Sequence, residues 1–301
     1  MTSSDLPKRL FPSAGEDASV AMRRIETEQT KSASYKLAFT DQEFLVREEL
    51  RPVRLQLELL KPELILSEQG IQSTVVVFGS ARIPEQQVAD EQLRIAEENL
   101  EKSAQDKNLI KAVKLAKRAQ QNAKYYSEAC RFASLITQEF ETDGNCELVV
   151  ATGGGPGIME AANRGASDTG GRSIGLNIVL PFEQCPNPYI TPELSFQFHY
   201  FAIRKMHFLM RAKALVACPG GFGTMDELFE ALTLVQTKKI KPMPILLMGR
   251  EYWQRVIDFE LLVEEGMISE EDLSIFSFVE TAEEAVAKIK SFYSGASGES
   301  D

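Results

Sequence analysis

Histidine is scarce in this chain of 301 residues: there are two, His199 and His207. The four cysteines, Cys130, Cys146, Cys185 and Cys218, are scattered without any C-x-x-C spacing. These shortages leave little for a structural zinc site or a histidine-based catalytic triad. They fit reduced, partly buried thiols and two histidines packed on a buried helix. No apolar run reaches the roughly 18 residues of a membrane span. The opening MTSSDLPKRLFPSAGEDAS has no apolar stretch like that of a signal peptide, so the expectation is a cytoplasmic protein. Basic residues are outnumbered, 33 Lys and Arg against 44 Asp and Glu, for a net charge of −11. That balance argues against nucleic acid or an anionic membrane as partner. Two nucleotide motifs are also missing. The dinucleotide fingerprint G-x-G-x-x-G would need glycine where Ile158 stands (counting from Gly153) and where Asp226 stands (counting from Gly221). No G-K-[ST] is present either, so NAD and P-loop-bound ATP are set aside.

Apolar residues make up 44% of the chain, enough for a sizeable core, and the length suits one large α/β domain with appendages. Residues 1–34 are polar and read as a disordered tail. Residues 35–70 read as a helical N-terminal extension, broken into short pieces by Pro52 and Pro62. From 71 to 293 short β-branched runs alternate with helical patterns, which predicts a parallel sheet with helices on both faces. Strands are expected at Thr74–Phe78, Glu147–Ala151, Ser173–Asn177, Ala214–Cys218 and Pro244–Met248. Within this domain, 85–122 is rich in Glu, Gln, Lys and Ala and reads as a charged helical insertion, a long solvated helix or helical pair, with a mobile segment as the alternative. Residues 294–301 read as a second disordered tail.

Two strand ends lead into glycine loops. The first is Thr152-Gly-Gly-Gly-Pro-Gly-Ile-Met-Glu160, and the second is Pro219-Gly-Gly-Phe-Gly-Thr224. A third strand ends in Gly79-Ser80. Glycines let the backbone close around an anion, and a helix that follows such a loop points free N–H groups and partial positive charge into it. Two such loops predict a mononucleotide held between them. Thr224 is a good N-cap residue, which puts Asp226 and Glu227 in the first helical turn, where the dipole should keep Glu227 ionised. Both carboxylates also suit a purely dipole-complementing role. Upstream, Arg204 and Lys205 interrupt an apolar helix. Glu183, in a Pro-rich loop after the third strand, is a candidate base-reading carboxylate.

Together these motifs resemble one family, the LONELY GUY-type phosphoribohydrolases often labelled "lysine decarboxylase". The resemblance rests on P-G-G-x-G-T-x-x-E at Pro219–Glu227, the Arg204-Lys205 pair, the TGGGPGIMEAANRGA segment and FGSAR at 78–82, and it spans roughly Thr74–Phe292. It implies a Rossmann-like fold and hydrolysis of the N-glycosidic bond of a purine nucleoside 5′-monophosphate, without metal or organic cofactor. It also implies a homodimer or larger homo-oligomer. Catalysis would fall to Glu227 and Arg204. Substrate contacts would come from Gly79, Ser80, Gly153, Gly154, Gly155, Gly157, Met159, Glu183, Lys205, Gly220, Gly221, Gly223, Thr224, Asp226 and Thr233. The N-terminal extension and the 85–122 insertion depart from compact plant-type members and look like bacterial ones, some labelled AMP nucleosidases. Two rival readings remain: a pyridoxal-phosphate decarboxylase with Lys205 as Schiff base, and a non-catalytic nucleotide sensor on the same scaffold.

Overall fold

The computed structural model describes residues 11–296 apart from 24, 143, 144, 147 and 182–184. The chain divides between residues 58 and 59 into two compact units. In the first, where a disordered tail is expected through residue 34, the described part holds helices α1 (Ala14–Met22) and α2 (Glu28–Lys31), followed by α3 (Gln42–Leu45). Local capping explains α1: the Ser13 hydroxyl accepts from the Glu16 amide while the Glu16 carboxylate accepts from the Ser13 amide. Helix α4 (Arg51–Glu68) is continuous through Pro62, where a break is expected from sequence. Pro52 stands in its first turn, where a proline costs no hydrogen bond. Pro62 is buried together with Leu66, so packing offsets the helical bond that it removes. The division falls inside α4 because its last turns belong to the second unit. Glu63 pairs with Arg211 at 3.0 Å, and Leu66 joins the core of the sheet.

The second unit follows in order as β1 (Thr74–Phe78), α5 (Gln86–Lys102), α6 (Lys107–Phe140), the two-residue β2 (Glu141–Thr142) and β3 (Asn145–Cys146), then β4 (Val149–Thr152) and α7 (Ile158–Asp168). Next come β5 (Ser173–Ile178), β6 (Ser195–Phe198), α8 (Phe201–Met210), β7 (Ala212–Ala217) and α9 (Phe222–Gln236). The chain closes with β8 (Ile245–Met248), α10 (Arg250–Val256), α11 (Phe259–Glu264), β9 (Phe276–Val279) and α12 (Ala282–Ala296). Seven strands form one sheet in the order β6-β5-β4-β1-β7-β8-β9, every pairing parallel. Beside β2–β3, which pair only with each other, this is a Rossmann-like α/β fold.

Strand β1 shows why the sheet is covered twice. Val75 and Val77 face one core with Phe132, Ile136, Ile158 and Ile289, while Val76 and Phe78 face another with Phe208, Leu228 and Trp253. Side chains alternate along a strand, so a continuous apolar run is stable only between two helical layers. The strand order changes direction at β1, flanked by β4 on one side and β7 on the other. Ligands of open α/β sheets bind beyond the carboxyl ends of the strands at such a switch point, and here the strands β1, β4 and β7 each end in a glycine loop.

Candidate functional site

Backbone bonds tie the three loops together. The Ser80 amide donates to the Pro219 carbonyl at 3.0 Å, joining the loops after β1 and β7. The Ile158 amide donates to the Ser80 carbonyl at 3.2 Å, joining the loops after β1 and β4. Gly157 allows the second junction. Its φ is +71°, and a Cβ there would stand 2.4 Å from the Ser80 carbonyl oxygen, so only glycine fits. A buried polar network holds the loop after β4 from below. The Thr152 hydroxyl and the Asn187 side-chain amide both donate to Asn163 Oδ1, at 2.7 and 2.9 Å, and Asn187 also donates to the Gly155 carbonyl at 3.1 Å. Asn163 and Asn187 are absent from the sequence-derived candidates. Asn187 stands between two prolines in the loop after β5.

These loops floor a cleft of about 1220 Å³. Of the candidates, Gly79, Ser80, Gly153, Gly155, Met159, Arg204, Gly220, Gly221, Gly223, Thr224, Asp226 and Glu227 line it. Gly154 and Gly157 shape the loop without lining the cleft. Lys205 and Thr233 lie in a shallow depression alongside α9, and Thr233 spends its hydroxyl on the Phe229 carbonyl at 2.7 Å. Glu183 lies outside the described residues. Tyr252, unremarkable in sequence, lines the cleft and donates to the Gly220 carbonyl at 2.5 Å.

Helix α9 begins earlier than its sequence suggests. Gly221 is the N-cap and Phe222 the first helical residue. Thr224 is therefore inside the first turn rather than at the cap, with its side chain folded against Gly220, and Asp226 and Glu227 fall beyond that turn. The dipole fades over one turn, so burial governs Glu227 instead. The residue is 6% exposed. Burial raises its carboxyl, Lys205 and Arg204 pull it down, and the outcome is a pKa of about 7 rather than the ionised group expected from the dipole. Among the described residues, no hydrogen bond or ion pair within 4 Å holds that carboxyl.

Arg204, on α8, is held through its Nε and one face of its guanidinium. Nε donates to the Leu176 carbonyl at 2.7 Å, and the group lies 5.0 Å above the Phe208 ring. Burial lowers its pKa, countered by the charge of Glu227. Its Nη2 fills the space over Gly153, where a Cβ would stand 2.7 Å away. Lys205 points elsewhere, reaching Asp226 at 2.9 Å and Glu230 at 3.0 Å. Burial lowers the Lys205 pKa, but these two carboxylates outweigh it and the net shift is upward. Lys205 is thus a strut between α8 and α9. An ammonium held charged in this way is a poor Schiff-base nucleophile. The histidines also separate: His207 is buried on α8, 3.6 Å from Glu63, whereas His199 precedes the helix and is exposed, stacked edge-on against Tyr200.

A raised carboxyl pKa has a stability consequence. Between about 4.5 and 7 the folded chain holds a proton on Glu227 that the unfolded chain has lost. Its contribution is therefore complete below the unfolded pKa and disappears as pH rises through about 7. We predict that Glu227→Gln removes this part of the pH dependence and stabilises the protein at pH 8 by an amount of order 2–3 kcal/mol. Thermal melts of both proteins from pH 5 to 8 measure it. Equal melting-temperature differences at both ends would show that Glu227 has no raised pKa.

Among known proteins, residues 159–289 match the family described as "possible lysine decarboxylase". The chain is 31% identical over 153 residues to cytokinin riboside 5′-monophosphate phosphoribohydrolase LOG4 of Arabidopsis thaliana, covering 49% of this chain and 68% of that protein. It is 30% identical over 152 residues to LOG3 of the same plant, with the same coverage. A molybdenum cofactor binding protein from Rippkaea orientalis superposes over 74% of this chain and 98% of its own at 18% identity and a TM-score of 0.44, a distance at which no function transfers. Each of these two plant proteins is matched over two thirds of its length at 30% identity or more, and on that ground the chain belongs to their family, the LONELY GUY-type phosphoribohydrolases.

Proposed function

We propose that this protein hydrolyses the N-glycosidic bond of a purine nucleoside 5′-monophosphate, AMP or an N6-modified, cytokinin-type AMP, to the free base and ribose 5-phosphate. The observation carrying this reading is that Glu227 and Arg204 share one cleft with the opening turn of α9 at the switch point of the sheet. The amides of that turn have no helical acceptor and suit a phosphate. With the phosphate there, the ribose lies along α9 towards Glu227. As the bond from C1′ to the base nitrogen breaks, positive charge grows on the ribose. The ionised carboxylate of Glu227 stabilises that charge and takes a proton from the attacking water. A pKa of about 7 suits this exchange near neutral pH. The water oxygen bonds to C1′, and the proton that Glu227 takes from the water is balanced by one delivered, from Glu227 or through solvent, to the departing base nitrogen. Arg204 places a fixed positive charge opposite the phosphate-bearing part of the substrate. The names of the plant relatives agree with this chemistry.

Binding energy from the phosphate should position the glycosidic bond. The expected result is that kcat/KM for AMP exceeds that for adenosine by about 10²-fold or more. Base release from both substrates measures it, and equal values would remove the role given to the opening turn of α9.

A further inference from the structure

The insertion at 85–122 becomes a wall of the cleft. Helix α6 has 34 residues, about 50 Å at 1.5 Å per residue, far longer than the four-residue β4 that it precedes. Apart from Val113, its buried positions lie between Ala123 and Thr137, where it packs beside α7 and β4. The first half therefore stands beyond the carboxyl edge of the sheet, paired with α5. Ion pairs and amide hydrogen bonds brace the two helices. Arg94 pairs with Glu91 and Glu98, Lys117 with Glu97, and Gln86 and Gln120 donate to Asp90. Glu85 anchors the foot of the hairpin to Arg164 at 2.9 Å, and Ala89 and Ala123 are fully buried there. This is a braced element facing the cleft with a different surface. Ala96, Ala112, Leu115 and Ala116 form an apolar strip, and the side-chain amides of Gln92 and Asn122 flank it. Leu115 is 61% exposed although it belongs to no described core.

The cleft has two unlike sides. The side of α8 and α9 carries Arg204, Glu227 and the turn that suits an anion. The hairpin side offers apolar surface and amides, the groups that take an aromatic base: apolar area for its face, and a donor–acceptor amide for its edge; Arg118 also lines it, its guanidinium donating to Gln121 at 3.0 Å. The volume of about 1220 Å³ also exceeds the roughly 300–1,000 Å³ usual for small-molecule sites, leaving room beside a nucleoside monophosphate. We infer that the α5–α6 hairpin is the specificity wall of this cleft, with Asn122 reading the edge of the base and Leu115 limiting what substituent the base can carry. The inference rests on the nucleotide reading above and adds to it the element that selects the base.

The test uses the full chain, with ribose 5-phosphate as a ligand that has everything but the base. For Asn122→Ala, the expected result is a rise of about tenfold in the KM and Kd for AMP, in line with losing one amide contact to a base, with the inhibition constant of ribose 5-phosphate unchanged. For Leu115→Trp, an exposed position that leaves the core alone, kcat/KM for an N6-alkyl AMP should fall relative to AMP by about tenfold. Parallel loss of AMP and ribose 5-phosphate affinity would mean that the hairpin only supports the fold, and would overturn the inference. So would unchanged values in both variants. If the wild-type protein releases no base, the hydrolase reading fails. The hairpin is then judged on Kd values alone, where the same split between AMP and ribose 5-phosphate supports it and its absence, or no binding of either, overturns it.

Discussion

Glu227→Gln is expected to lower kcat by about 10²-fold or more while the Kd for AMP changes little. The substitution keeps the size and hydrogen-bonding reach of the side chain and removes the charge. A positioned general base or key electrostatic group is typically worth that much. The ground state does not feel the loss, because the ribose carries no full positive charge until the bond stretches. The raised pKa sharpens the expectation. In the wild type, kcat/KM should rise with pH through about 7 as the carboxyl ionises, and the variant should lack this limb. Asp226→Asn is the internal control. Asp226 is more exposed and its carboxylate is engaged by Lys205, so its loss should cost far less. Near-wild-type kcat in Glu227→Gln would move the chemistry to another group.

The second large effect concerns Arg204. Arg204→Met should lower kcat/KM by about 10²-fold, the usual size for removing one preorganised charge from a site. Stability should change little, since among the described residues the half-buried guanidinium has no ion pair, and an apolar chain of similar length takes its place. Gly153→Ala should reproduce part of the loss without touching Arg204 itself. The new methyl meets Nη2 and the sulfur of Met159, and the far end of a long side chain can yield, so the fold survives while the guanidinium leaves its place. Activity down with melting temperature maintained, in both variants, is the expected pattern. A matching collapse of stability would make Arg204 a structural residue.

Much of this was legible in the residues. The apolar runs at Thr74–Phe78 and Ala214–Cys218 have the length and Val content of buried strands, and strands stand at Thr74–Phe78 and Ala212–Ala217; of the two glycine loops, the first is a loop from Gly153 to Gly157, while the second turns helical at Phe222. Edge strands were harder. Ser195–Phe198 and Phe276–Val279 are four residues each, too short for an alternating pattern to emerge from Pro-rich and acidic surroundings. Position within α9 also escaped. Thr224 is the stronger capping residue by type, yet Gly221 caps the helix, because Thr224 turns inward over Gly220. Three positions along the helix then changed what governs Glu227, from dipole to burial. Lys205 shows another limit. Adjacent to Arg204 in sequence, it points to a different neighbour, since successive residues on a helix diverge by about 100°. The Thr152–Asn163–Asn187 network joins residues separated by up to 35 positions, and no local pattern announces such a contact. The hairpin showed its composition in sequence, but its face on the cleft followed only from the length and burial of α6.

Product analysis tests most directly whether this cleft breaks a glycosidic bond. The purified protein is incubated with AMP, with Glu227→Gln as the background, and the products are separated. The expected products are adenine and ribose 5-phosphate in equal amounts, formed by the wild type at least about 10²-fold faster than by the variant. AMP that binds and is recovered intact would contradict it.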